Sequence, residues 1–150
     1  MSEHRFDLRW QRGPGDFTYE SYDRTHRWRF GGGVELDASS APEYLGRAEL
    51  PNPEEALIAA LSSCHMLSFL AIAARQRFAV QSYADAAVGH LEKNAEGKLA
   101  ITRVELRPNV TFSGEKQPTR EQLARMHEQA HHVCFIANSV KTEVSVVPAD

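Results

Sequence analysis

The chain has little cysteine, no excess of positive charge and no repeated or low-complexity segment. Only two of its 150 residues are cysteine, too few for a disulfide-stapled secreted scaffold. The net charge of −3 gives no general reason for nucleic-acid binding. No CxxC or HExxH pattern occurs, so no zinc or zincin motif is present. Gly31-Gly32-Gly33 lacks the Lys-Ser/Thr of a phosphate loop and precedes strand-like residues, not a helix. The opening MSEHRFDLRW has no apolar core of the kind a signal peptide needs, so a cytosolic protein is expected. In that compartment the two cysteines are more readily free, redox-active or metal-bound than permanently bridged.

What is present is an ordinary globular composition, 42% hydrophobic and 25% charged, of a length that suits one domain, residues 1–150. One long uncharged run dominates it: Ala56 to Ala74, inside NPEEALIAALSSCHMLSFLAIAA. Asn52 suits an N-cap and Pro53 the first helical turn. Glu54 and Glu55 place negative charge at the favourable end of a helix. Apolar residues then fall on every face, which a buried helix or a membrane span would show. Ser62, Ser63, Cys64, His65 and Ser68 at the centre argue against lipid, so a buried central helix is expected and no membrane contact.

Around this helix the pattern is mainly strand-like. A short strand is expected near Arg5 to Arg9, extended structure over Phe17 to Arg29, and a hairpin through the three glycines to Val34, Leu36 and Ala38. Val80 to Glu92 reads as one strand, followed by a turn at Asn94 to Gly97. Leu99 and Ile101 are out of phase with Val104 and Leu106, which predicts a bulge or twist. Strand residues continue through Val110 and Phe112. Thr119 with Gln122 forms a capping-box pattern for a second helix, whose Leu123, Met126, His127, Ala130 and Cys134 share one face. Val140 to Val147 reads as a closing strand. The order predicts an α+β domain.

The residues permit two chemistries. A thiolate at Cys64 would need a nearby cation, because burial raises a thiol pKa and the helix dipole fades after one turn. Arg24, Arg27 and Arg29 are the candidates. Cys134 is the second thiol, and its distance from Cys64 is not legible in sequence. Alternatively Cys64 or His65 with His127, His131 and His132 could hold a metal; packing or surface histidines account for them more simply.

At NPEEALIAALSSCHM the sequence resembles the OsmC/Ohr superfamily of thiol-dependent peroxidases. The shared pattern is Asn-Pro-Glu, an apolar run, and a Cys ten positions after Glu54. HVCFIANSVKTEVSV resembles the segment holding that family's second cysteine, here Cys134. YDRTHRWRFGGGVEL resembles the segment with its active-site arginine, here Arg24. The resemblance implies antiparallel sheets around a buried central helix in an intertwined homodimer. It implies a peroxidatic Cys64, a resolving Cys134, and an Arg24–Glu54 pair beside Cys64. It further implies an organic hydroperoxide as substrate and an external dithiol as reductant, a lipoylated protein being the reductant it suggests, with no cofactor.

Phe135 stands where a proline is usual, His65 where phenylalanine is common, and Glu49-Leu50-Pro51 replaces the usual Gly-Thr. The chain therefore resembles a divergent branch. A non-enzymatic OsmC-like domain that binds a small apolar ligand or a metal is the alternative reading, and a thiol hydrolase a third. Helix geometry adds an independent constraint. Ten residues span about 15 Å of helix, so either the helix breaks between Glu54 and Cys64 or Glu54 serves the partner subunit's Cys64. A helix apolar on all sides also needs more cover than one small sheet supplies.

Overall fold

The computed structural model describes residues 1–149. The described chain divides into two compact units, one of residues 1–56 and one from residue 57 onward. The long helix α1, Pro53–Arg75, begins in the first and continues into the second.

In the first unit, strands β1 (Phe6–Arg9), β2 (His26–Phe30) and β3 (Glu35–Ala38) form an antiparallel sheet in that order. The β2–β3 hairpin is as expected, with Trp28 opposite Leu36. Its loop closes through Phe30 N–H to the Val34 carbonyl at 2.9 Å, and Gly33 takes the positive φ of 96° that the turn requires. Extended structure from Phe17 is not found, and the strand begins only at His26. The reason is local: the Ser21 and Tyr22 amides both donate to the Thr18 carbonyl, and the Ser21 hydroxyl donates to the Asp16 carbonyl. These side-chain and turn bonds outcompete a ladder. Trp10, Phe17 and Tyr22 cluster against one another instead, at centroid distances of 5.1 to 6.4 Å.

The start of α1 is as the sequence predicts. Asn52 accepts from the Glu55 amide at 2.9 Å and donates to the Glu55 carboxylate at 2.8 Å, satisfying an otherwise orphaned helix donor. The helix is unbroken to Arg75.

The second unit is built on a long hairpin that changes sheets halfway. Strand β4 (Ala79–Asp85) pairs antiparallel with β7 (Pro108–Ser113); β5 (Val88–Lys93) pairs antiparallel with β6 (Leu99–Leu106). The expected single strand from Val80 to Glu92 is thus two strands, broken at Ala86 and Ala87. The opposite arm breaks at the same level, at Arg107. Asp85 fixes this corner: its carboxylate accepts from the Arg107 amide at 2.7 Å and from the Ser62 hydroxyl of α1 at 2.5 Å. The predicted bulge is present. His90 pairs with Arg103 and Leu91 with Ile101, which leaves Thr102 as the extra residue where the apolar phase changes. The closing strand β8 is shorter than expected, Glu143–Val146, and runs parallel to β6.

Helix α2, Arg120–Val133, starts at the predicted capping box on Thr119. It shares a core with α1: Phe69 and Ala73 pack with Phe78, Met126 and Ala130. Leu61 packs with Val104 and Leu106 in a second cluster. Within the single chain α1 is not covered all round. Its buried residues are Leu61, His65, Phe69 and Ala73, one stripe at four-residue spacing, because small sheets cover one side only. Leu67 is 60% exposed. By length and mean hydropathy (1.9) α1 could cross a membrane, yet its polar Ser62 and His65 are hydrogen-bonded inside this unit.

Candidate active site

In the second unit the two thiols are neighbours. Cys64 lies mid-helix on α1 and is half-buried; Cys134 caps the C-terminus of α2 and is buried. Both are free. Cys134 leaves the helix with extended backbone, ψ 114°, and its sulfur accepts from the Ala137 amide at 3.4 Å. The Cys134 thiol is pushed up from its ordinary pKa, first by burial and next by its hydrogen bond to Cys64. A donor loses that bond when it ionises, so both causes favour the thiol form of Cys134.

Behind the thiols lies a buried imidazole pair. His65, on the residue after Cys64, and His127 of α2 are 1% and 3% exposed. His65 Nε2 and His127 Nδ1 are 3.0 Å apart. His65 Nδ1 and His127 Nε2 are buried with no partner. The sequence reading took these histidines as packing or metal candidates and missed the pair. One signal was available: position 65 falls in the stripe Leu61–Phe69–Ala73, where a polar ring must find a partner. Among the described residues no group of three or more His, Cys, Asp or Glu side chains is placed to hold a metal ion.

In the first unit Arg24 is buried, 8% exposed. It donates to the carbonyls of Tyr22 at 2.7 Å and Tyr19 at 2.5 Å, and its guanidinium carbon sits 3.7 Å from the Tyr22 ring centroid. Five guanidinium N–H groups are available, so these bonds do not exhaust it. Beside it is a hollow of about 400 Å3 lined by Leu8, Trp10, Phe17, Tyr22 and His26, among others. Sequence reasoning missed this hollow, because the expected strand stopped at Arg9, without Trp10, and Phe17 was read as extended structure. Glu54 Oε2 is buried without a partner, and no Arg24–Glu54 ion pair forms among the described residues of the chain. Arg27 is engaged elsewhere, with Asp37 at 3.1 Å and Glu35 at 3.9 Å. Because α1 is unbroken, Glu54 and the Cys64 of its own chain stay about 15 Å apart along the axis. Phe69, five residues after Cys64, is fully buried core, and Phe135, the residue after Cys134, is 79% exposed.

A protein-family profile described as OsmC-like protein matches residues 46–148. An OsmC-like protein of unknown function from Vibrio cholerae is similar over the whole chain: 51% identity, TM-score 0.96, covering 99% of this chain and all of that one. More distant solved structures share the fold. An organic hydroperoxide resistance protein OsmC from Legionella pneumophila has 16% identity and TM-score 0.76, covering 100% of this chain and 98% of that one. The organic hydroperoxide resistance protein OhrB of Bacillus subtilis has 19% identity and TM-score 0.70, with 98% of both chains covered. No match is found among curated proteins.

Proposed function

The chain belongs to the OsmC-like family, and from that membership we propose a cytosolic thiol peroxidase that reduces organic hydroperoxides. The observation that carries this reading is the pair of free, neighbouring thiols, Cys64 on α1 and Cys134 at the end of α2. The Cys64 thiolate attacks the outer peroxide oxygen; the O–O bond breaks, the alkoxide leaves and takes a proton, and Cys64 becomes a sulfenic acid. The Cys134 sulfur then displaces hydroxide from it, giving a disulfide and water. An external dithiol returns both residues to thiols by exchange, itself becoming a disulfide.

Arg24 and Glu54 are proposed as the activating pair, the guanidinium donating to the peroxide and favouring thiolate. The apolar hollow beside Arg24 suits the hydrocarbon part of an alkyl or aryl hydroperoxide. The uncovered sides of α1, Leu67 among them, support a homodimer in which Glu54 serves the partner subunit's Cys64.

The test is Cys64→Ser together with intact-mass measurement after one equivalent of cumene hydroperoxide. The wild-type chain should lose two hydrogens and the variant none, with peroxide turnover abolished. Unchanged turnover in the variant ends the proposal; an unchanged wild-type mass favours a binding module instead. Arg24→Ala should keep the fold and raise the thiol pKa; an unaltered thiol titration removes Arg24 from the site.

A further inference from the structure

The peroxidase chemistry leaves two buried polar rings without a task. His65 and His127 bridge α1 and α2 through a single hydrogen bond of 3.0 Å. Around them the contact between these helices is apolar: Phe69 and Ala73 meet Met126 and Ala130, and Phe69 stacks on His127 with centroids 4.4 Å apart. The hydrophobic driving force is non-directional, so it specifies the register between two helices less sharply than a directional bond does. A hydrogen-bonded polar pair inside an apolar seam supplies such a bond. The arrangement is costly, since one nitrogen on each ring is buried without a partner. Two apolar side chains of similar shape would fill the space without that cost.

The position of the pair gives the cost a purpose. Cys64 precedes His65 directly, and Cys134 ends the helix that carries His127 two turns earlier. We propose that the His65–His127 bond is a positioning device for disulfide formation, holding α1 and α2 in the register that keeps Cys64 and Cys134 within bonding range. This rests on reading the two thiols as a disulfide couple, and not on which oxidant reaches them. Disulfide geometry tolerates little error in Cα separation or Cβ direction, so a small slip between the helices weakens the bond.

The test uses the full-length chain equilibrated in glutathione buffers. One glutathione disulfide takes the two thiol hydrogens, giving the Cys64–Cys134 bond and two reduced glutathiones. The disulfide fraction, read by mass, gives an equilibrium constant. His65→Leu and His127→Phe should lower it about tenfold, roughly the worth of one hydrogen bond. His65→Gln places a polar group near the lost Nε2 and should stay within about threefold of wild type, since most of that bond is kept. Leu123→Ala loosens the same core and leaves both rings and their bond in place, and should leave the constant unchanged. The proposal is overturned if His65→Leu matches wild type, if His65→Gln falls as far as His65→Leu, or if Leu123→Ala falls alongside them. Should His65→Leu not fold, His127→Phe against His127→Asn makes the same comparison, Asn offering a group near Nδ1. No peroxide enters this experiment. A wild-type chain inert to peroxide would remove the peroxidase reading and leave this result standing.

Discussion

The rings of His65 and His127 lie 7° from parallel, and burial holds both imidazoles neutral, with pKa values lowered from 6.5 to about 4. For His65 the next cause is the charge of His131; for His127 it is His65 itself; Asp85 opposes the shift in both. Unfolded histidines take up protons as pH falls below about 6.5, whereas the native pair does not until about 4. The contribution of this pair to stability must therefore fall as pH drops from about 6.5 to about 4, by an order of several kcal/mol, and level off below. Urea unfolding at a series of pH values checks this. His65→Leu should flatten the slope across that window, and an equally steep slope would contradict the assignment.

Cys134→Ser separates the two halves of the redox cycle. Its Cys64 should consume about one equivalent of hydroperoxide and stop, since no thiol remains to condense with the sulfenic acid. Mass measurement should show a gain of one oxygen in place of the loss of two hydrogens, and a dimedone adduct on Cys64. Continued multiple turnover would show that Cys134 is not the resolving thiol.

Two glycines should respond differently to alanine. A Cβ on Gly46 would lie 1.7 Å from the Ser40 carbonyl oxygen, a backbone atom that cannot yield locally. A Cβ on Gly89 would meet the end of the Ile58 side chain at 2.5 and 2.7 Å, which can rotate away. Gly46→Ala should cost about 3 kcal/mol or more, and Gly89→Ala about 1–2 kcal/mol. Denaturant midpoints of the two variants give the comparison.

The cap on α1 carries a smaller and separable weight. Asn52→Ala removes both bonds to Glu55 and should cost about 1 kcal/mol. Asn52→Asp keeps the acceptor for the Glu55 amide and should recover part of that loss. Thermal unfolding at neutral pH reads both.

Much of the fold was legible where a local pattern decides the structure. Asn52-Pro53 and the Thr119–Gln122 box start their helices where the sequence places them. The phase change between Ile101 and Val104 marks the bulge at Thr102. What was not legible depends on contacts between distant residues. Ala86 and Ala87 carry no turn chemistry, so the break between β4 and β5 cannot be seen without the Asp85–Arg107 bond. The parallel pairing of β8 on β6 leaves no period of its own. The cysteines were visible by pattern, but their proximity depends on two helices joined through His65 and His127, which a linear reading meets as unrelated histidines.

The corner at Asp85 has a mechanical result. The segment from Leu99 to Ser113 serves one sheet up to Leu106 and another from Pro108, so neither can peel away without dragging its neighbour. One carboxylate latches that shared backbone to the thiol-bearing helix. Amide exchange across the whole segment should then report a single opening event, and Asp85→Ala should split it into two.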